Sequence, residues 1–219
     1  DEKINEFLNL SGDKIFLNSS SFDLEADHSI LINNLEKLIT DLKETYNREI
    51  RIVVNDGKAK MKNVVIPEHL KENIYISSNP DYLTILFHDP RIETIISTFG
   101  QGTADLLSAF APGKRIIGLN LVTDQKANIR HLNSEREFTG EPMIPSISWK
   151  QLTSDLLESE IKNKHVLGFI TNIEEIRKRF NLRVNQGAVF YLIRMLKSLN
   201  LSDELREVII QAISDIGEQ

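Results

Sequence analysis

The chain contains no cysteine, which excludes a disulfide framework, a thiol nucleophile and a cysteine-ligated zinc. A reducing compartment fits that composition, and a cytoplasmic location is expected. No stretch approaches the ~20 apolar residues needed to span a bilayer, so no transmembrane segment is expected. The longest apolar patches, such as Arg115–Leu121, are short and bounded by turn residues. Basic residues are the minority: 26 Lys and Arg stand against 32 Asp and Glu, for a formal net charge of −6. No nucleic-acid partner is expected, because neutralising duplex phosphates needs a clustered basic surface. His28, His69, His131 and His165 stand isolated, without metal-ligand spacing, so neither a metal nor a cofactor is expected. There is no Gly-x-Ser-x-Gly elbow of a serine hydrolase. The opening Asp1-Glu2-Lys3-Ile4 carries neither a starting Met nor a signal-peptide pattern, and the chain is expected to be a segment of something longer.

What is present is an ordinary globular composition: 219 residues, 41% hydrophobic and 26% charged, ample for a real core. Over the first 120 residues two periods alternate. Short apolar or β-branched runs at Lys14–Asn18, Arg51–Val54, Asn73–Ser77, Thr94–Ser97 and Arg115–Leu121 predict five strands. Between the first two, Leu31, Leu35, Leu38, Ile39, Leu42 and Tyr46 recur at the spacing of one buried helical face. Asn79-Pro80-Asp81 opens a short helix through Phe87, and Thr103–Ala111 predicts another, stopped by Pro112-Gly113. Alternating strands and helices imply right-handed crossovers, and near-continuously apolar strands imply a sheet covered on both faces. The expected fold is therefore α/β: a Rossmann-like parallel sheet of about five strands with helices on both faces, followed by a C-terminal helical section.

Three regions are expected: a Rossmann-like domain over 1–122, a long polar loop over 123–146, and a helical section over 147–219 packed on the same domain. Thr123–Ser146 shows no period and contains Gly140, Pro142 and Pro145. Beyond it, Trp149–Ile161 is amphipathic and an apolar break covers His165–Ile170. Ile173–Phe180, a face through Ala188, Leu192, Met195, Leu196 and Leu199, and one from Leu205 to Ile216 complete the helices.

In an open parallel sheet, ligands bind outside the carboxyl ends of the strands. The residues at those ends are Ser19, Ser20 and Ser21; Asn55-Asp56-Gly57; Ser77, Ser78 and Asn79; and Thr98, Phe99, Gly100, Gln101, Gly102 and Thr103. The last group is the most informative, because two glycines relax a turn that feeds a helix, whose free N–H groups and positive dipole end suit a phosphate. Asp105 falls in that helix's first turn, where a carboxylate could accept hydrogen bonds from a ribose diol. The structural reading stands beside this one. Any tight strand–helix turn favours glycine, and Asp105 stabilises a helix start without a ligand. Neither the dinucleotide fingerprint nor a P-loop is met, since a third glycine is missing and Lys114 follows the helix.

The stretch Pro80–Leu121 resembles the C-terminal half of a GT-B glycosyltransferase. In that family a short helix precedes a strand, a Ser/Thr/Gly-rich turn, a helix carrying an acidic residue, and an Ala-x-Gly-Lys/Arg stop before the next strand. Here those parts are Asp81–His88, Ile92–Ser97, Thr98–Gly102, Thr103–Ala111 with Asp105, and Ala111-Pro112-Gly113-Lys114. The resemblance covers roughly Ile15 to Leu121, about half of the chain. It implies that Ser19–Ser21 and Thr98–Thr103 hold a donor diphosphate, that Asp105 meets the ribose, and that Ser77–Asn79 lie near the base. The family commonly has Glu where Asp105 stands. It also requires an N-terminal acceptor half, which would lie in the same chain or in a partner subunit.

The expected function is thus binding of a nucleotide-activated sugar as the donor half of a glycosyltransferase that uses no metal, with the catalytic residues unassigned. The alternative is a non-catalytic interaction module that docks another domain or subunit through Leu192, Met195, Ile209 and Ile213. A third reading is a sensing domain that binds a sugar or free nucleotide without transfer. Trp149, the single tryptophan, is a core anchor or a lining residue of a ligand groove.

Overall fold

The computed structural model of the protein describes residues 2–18, 28–55, 64–77, 86–87, 89–100, 114–119, 123–139, 143–162, 196 and 203–217. Helix α1 (Glu2–Asn9) leads into β1 (Asp13–Asn18), α2 (His28–Tyr46) and β2 (Ile50–Asn55). A 3₁₀ turn (Glu68–Leu70) precedes β3 (Ile74–Ser77), and then come β4 (Thr94–Thr98) and β5 (Arg115–Leu119). Helix α3 (Thr123–Thr139), β6 (Ser146–Ile147), a second 3₁₀ turn (Trp149–Gln151), α4 (Ser154–Lys162) and α5 (Asp203–Gly217) follow.

The six strands form one sheet, ordered β3-β2-β1-β4-β5-β6, with every adjacent pair parallel. The chain winds outward from β1 to β3, returns to the far side of β1 at β4, and winds the other way to β6. This is the Rossmann-like α/β order, whose direction of winding reverses between β1 and β4.

Strand alternation sorts the core into two layers. Ile15, Leu17, Ile52, Val54, Ile96 and Ile117 pack with Leu31, Leu35, Leu38 and Leu42 of α2 and with Leu157 and Ile161 of α4. Phe16, Val53, Ile95 and Ile116 are equally buried and, by alternation, face the other way. There Phe16 meets Phe87 edge-on, ring centroids 5.3 Å apart, and Phe7 of α1 meets Tyr75 at 5.6 Å. Gly118 shares this second face. A Cβ on it would come within 2.6 Å of Ile129 Cδ1 and 3.1 Å of the Pro145 carbonyl oxygen, so only glycine lets α3 and the return to β6 lie so close.

Three features differ from the sequence reading. The segment 123–146, expected as a loop, is helical over Thr123–Thr139 and contributes Ser146 to a sixth strand. Among the described residues of that helix, the buried positions are Gln125, Ile129, Leu132 and Arg136. They have helical spacing, but half are polar, so hydropathy shows no period. The Gln, Lys, Ala, Arg and Glu content nonetheless favours a helix. Asn133 then clamps the return, donating to the Ile144 carbonyl at 2.9 Å and accepting from its N–H at 2.7 Å. The amphipathic run at 149–161 is divided. Ser148 and Gln151 form a capping box on the 3₁₀ turn, and Thr153 Oγ1 accepts from Leu156 N–H at 3.3 Å as α4 begins. Helix α1, with Ile4, Phe7 and Leu8 buried, was not anticipated. The elements expected at 103–111 and 173–180, the face at 188–199 apart from Leu196, and the apolar break at 165–170 lie outside the described residues, as does most of the short helix before Phe87. Leu86 and Phe87 are helical and buried.

Candidate functional site

The register of the sheet places one residue of each strand on a common rung: Ser77, Asn55, Asn18, Ser97, Gly118 and Ser146, in order from β3 to β6. Every side chain on it is polar or absent. The rung before it, Ile76, Val54, Leu17, Ile96 and Ile117 across the first five strands, is wholly apolar. A band of largely buried hydrogen-bonding groups thus crosses the sheet near the carboxyl ends of its strands, with the core resuming beyond it at Leu119.

At the reversal between β1 and β4, Asn18 Nδ2 donates to Ser97 Oγ at 3.1 Å, and the Ser97 hydroxyl donates to the Thr98 carbonyl at 3.0 Å. Asn18, Ser97 and Thr98 are fully buried, and Asn55 and Ser77 nearly so. Burying so many polar groups is tolerated because they are hydrogen-bonded. The Thr98 hydroxyl is an exception, with no partner among the described residues. Phe99 is fully buried and Gly100 half-buried. Asn128 of α3 donates to the Phe99 carbonyl at 2.8 Å, fixing the backbone where it leaves β4.

Among the described residues, a charged cluster lies at the opposite edge. Lys14 Nζ donates to the Leu10 and Gly12 carbonyls, each at 2.5 Å, and burial holds its pKa below the usual lysine value. Arg48 bridges Asp13 at 2.7 Å and Glu158. Arg91 chelates Asp89, 2.5 Å from Nη2 to Oδ2. The rung at the carboxyl ends holds no ionisable side chain, so it can bind a ligand only through dipoles and hydrogen bonds. Among the described residues, no group of three or more His, Cys, Asp or Glu could hold a metal ion, and no helix is long and apolar enough to cross a membrane.

Of the residues singled out from sequence, Ser77, Thr98, Phe99 and Gly100 lie at this edge. Ser19, Ser20, Ser21, Ser78, Asn79, Gln101, Gly102, Thr103 and Asp105 fall outside the described residues. Asn18 and Asn55 were legible as strand ends, yet their alignment with Ser97 depends on register, which no local pattern carries. Asn128 was hidden by the missed helix. In the last helix Ile209 is fully buried and Ile213 half-buried, so Ile209 belongs to this chain's own packing rather than to a free docking face.

Fold and site together define an open Rossmann-like α/β sheet with buried polar side chains at its topological switch point. No protein-family model and no curated protein matches the chain.

Proposed function

We propose that the carboxyl ends of β1 and β4 form the binding site for the diphosphate of a nucleotide-activated sugar, and that the chain is the donor half of a GT-B-type glycosyltransferase. One observation carries this reading. The rung, polar on every strand except β5 where Gly118 stands, is centred on the strand reversal, with Asn18 and Ser97 bridging the two strands there. A purely structural sheet end has no need to carry polar side chains on five of six strands. The unpartnered Thr98 hydroxyl adds a group that a ligand oxygen would satisfy. An uncharged rung also suits a transferase that stabilises its leaving diphosphate with amide dipoles and hydroxyls. The resemblance supplies Ser19–Ser21, Gln101–Thr103 and Asp105 as further donor contacts, and an N-terminal acceptor half as partner.

Calorimetric titration with uridine, cytidine and guanosine diphosphates tests the reading. One nucleotide is expected to bind with a Kd below millimolar, and absence of heat with all three would overturn the proposal. Thr98→Val serves as the site probe. Removing a hydroxyl that lacks a partner leaves unfolding free energy unchanged or raised, while nucleotide affinity is expected to fall several-fold. Asp105→Ala is expected to weaken nucleoside diphosphates more than inorganic pyrophosphate. Equal loss for both would remove its ribose role.

A further inference from the structure

A second cleft lies away from the strand ends, between α2 and the segment that joins β6 to α4. It encloses about 430 Å³, within the size range of small-molecule sites. Leu35 and Leu38, almost fully buried, lie behind it, and Trp149, itself packed partly against the core, lines it together with Asn34, Asp41 and Ser154. The charges around it cancel locally. Lys37 Nζ sits 2.6 Å from Asp41 Oδ2, and Tyr46 donates to Asp155 Oδ1 at 2.5 Å. Lys150 balances the remaining acid on the rim. An ion therefore finds no net attraction here. A wholly apolar ligand would strip water from the amide, carboxylate and hydroxyl without replacing its hydrogen bonds. The lining calls for a ligand with one apolar face and a rim of groups that both donate and accept. A pyranose ring has that character: axial C–H bonds for the indole, hydroxyls for Asn34, Asp41 and Ser154.

We propose that this cleft is a carbohydrate-binding site that takes a hexose-sized ring against Trp149. The inference rests on the cleft itself and not on the donor reading. Trp149 is the only tryptophan in the chain, so its emission reports on this site alone. Titration with glucose, galactose, mannose and N-acetylglucosamine is expected to give a saturable emission change with at least one of them. Asp41→Ala and Asn34→Ala, both surface changes on α2, are expected to leave circular dichroism unchanged and to weaken that sugar about tenfold each, the value of a hydrogen bond to a strong acceptor or donor. Trp149→Phe, followed by saturation-transfer NMR on the sugar, is expected to lose binding as well. No saturable response to any sugar, or a response that survives both alanine variants undiminished, overturns the proposal, as does an emission change produced by nucleoside diphosphates alone. Calorimetry with the nucleotides scores the donor site separately, so either reading can fail while the other stands.

Discussion

Lys114, just before β5, is 3% exposed, and its ammonium donates to the Asp89 carbonyl at 2.6 Å. Burial lowers its pKa to about 7 from 10.5, with the Asp89 charge offsetting only part of the penalty. Asp89 itself, although raised by burial, is held below the usual aspartate range by Arg91 hydrogen bonds. Between about 7 and 10.5 the unfolded chain binds more protons at Lys114 than the folded one. Folding stability is therefore expected to rise with pH through that window, by of order a few kcal/mol, and to gain nothing from this group below it. Lys114→Met removes the titration. In urea unfolding at a series of pH values, the difference between wild type and variant should carry the slope, and parallel profiles would refute the assignment.

At the scale of elements, the contact between β5 and α3 depends on a missing side chain. Gly118→Ala places a methyl 2.6 Å from Ile129 Cδ1 and is expected to cost about 1–3 kcal/mol. Ile129→Val deletes that Cδ1 atom, so the double variant should recover part of the loss, a coupling that denaturant melts would measure. Strictly additive losses would show that Pro145, not Ile129, sets the limit. The same region shows where legibility ended. Strands such as Ile50–Asn55 and helix α2 were readable because burial there is matched by apolar residues at the right period. Helix α3 buries Gln125 and Arg136 alongside Ile129 and Leu132, so its inner face looks like surface. Strand β6 is two residues long and pairs because α3 delivers it to β5, which no local pattern predicts. The candidate site was half legible for a related reason. Polar strand ends are visible in the sequence, but the rung that joins Ser77, Asn55, Asn18 and Ser97 exists only once register is set.

Across the whole molecule, Arg48 ties together segments far apart in sequence: Asp13 at the start of β1 and, 110 residues away, Glu158 on α4. Glu158 has a 5% exposed side chain, and its hydrogen bonds from Arg48 hold the carboxyl below the usual glutamate range. Glu158→Gln is expected to cost about 1–2 kcal/mol in thermal or urea unfolding, since it weakens a buried pair while leaving Asp13 on the arginine. The wild-type advantage should persist above the ordinary glutamate pKa and vanish as acid protonates the carboxylate through its depressed value. Loss of the difference at neutral pH instead would place the stabilising contact elsewhere. The sheet order has a kinetic corollary. Strand β1 is made first yet lies in the middle, and its second neighbour, β4, arrives only with residues as distant as Ser97, 79 positions beyond Asn18. No hairpin shortens that wait, so during synthesis a bare apolar edge stays open to any other extended chain. Translation halted between the two strands is expected to release aggregating fragments, whereas chains that reach β4 close that edge themselves.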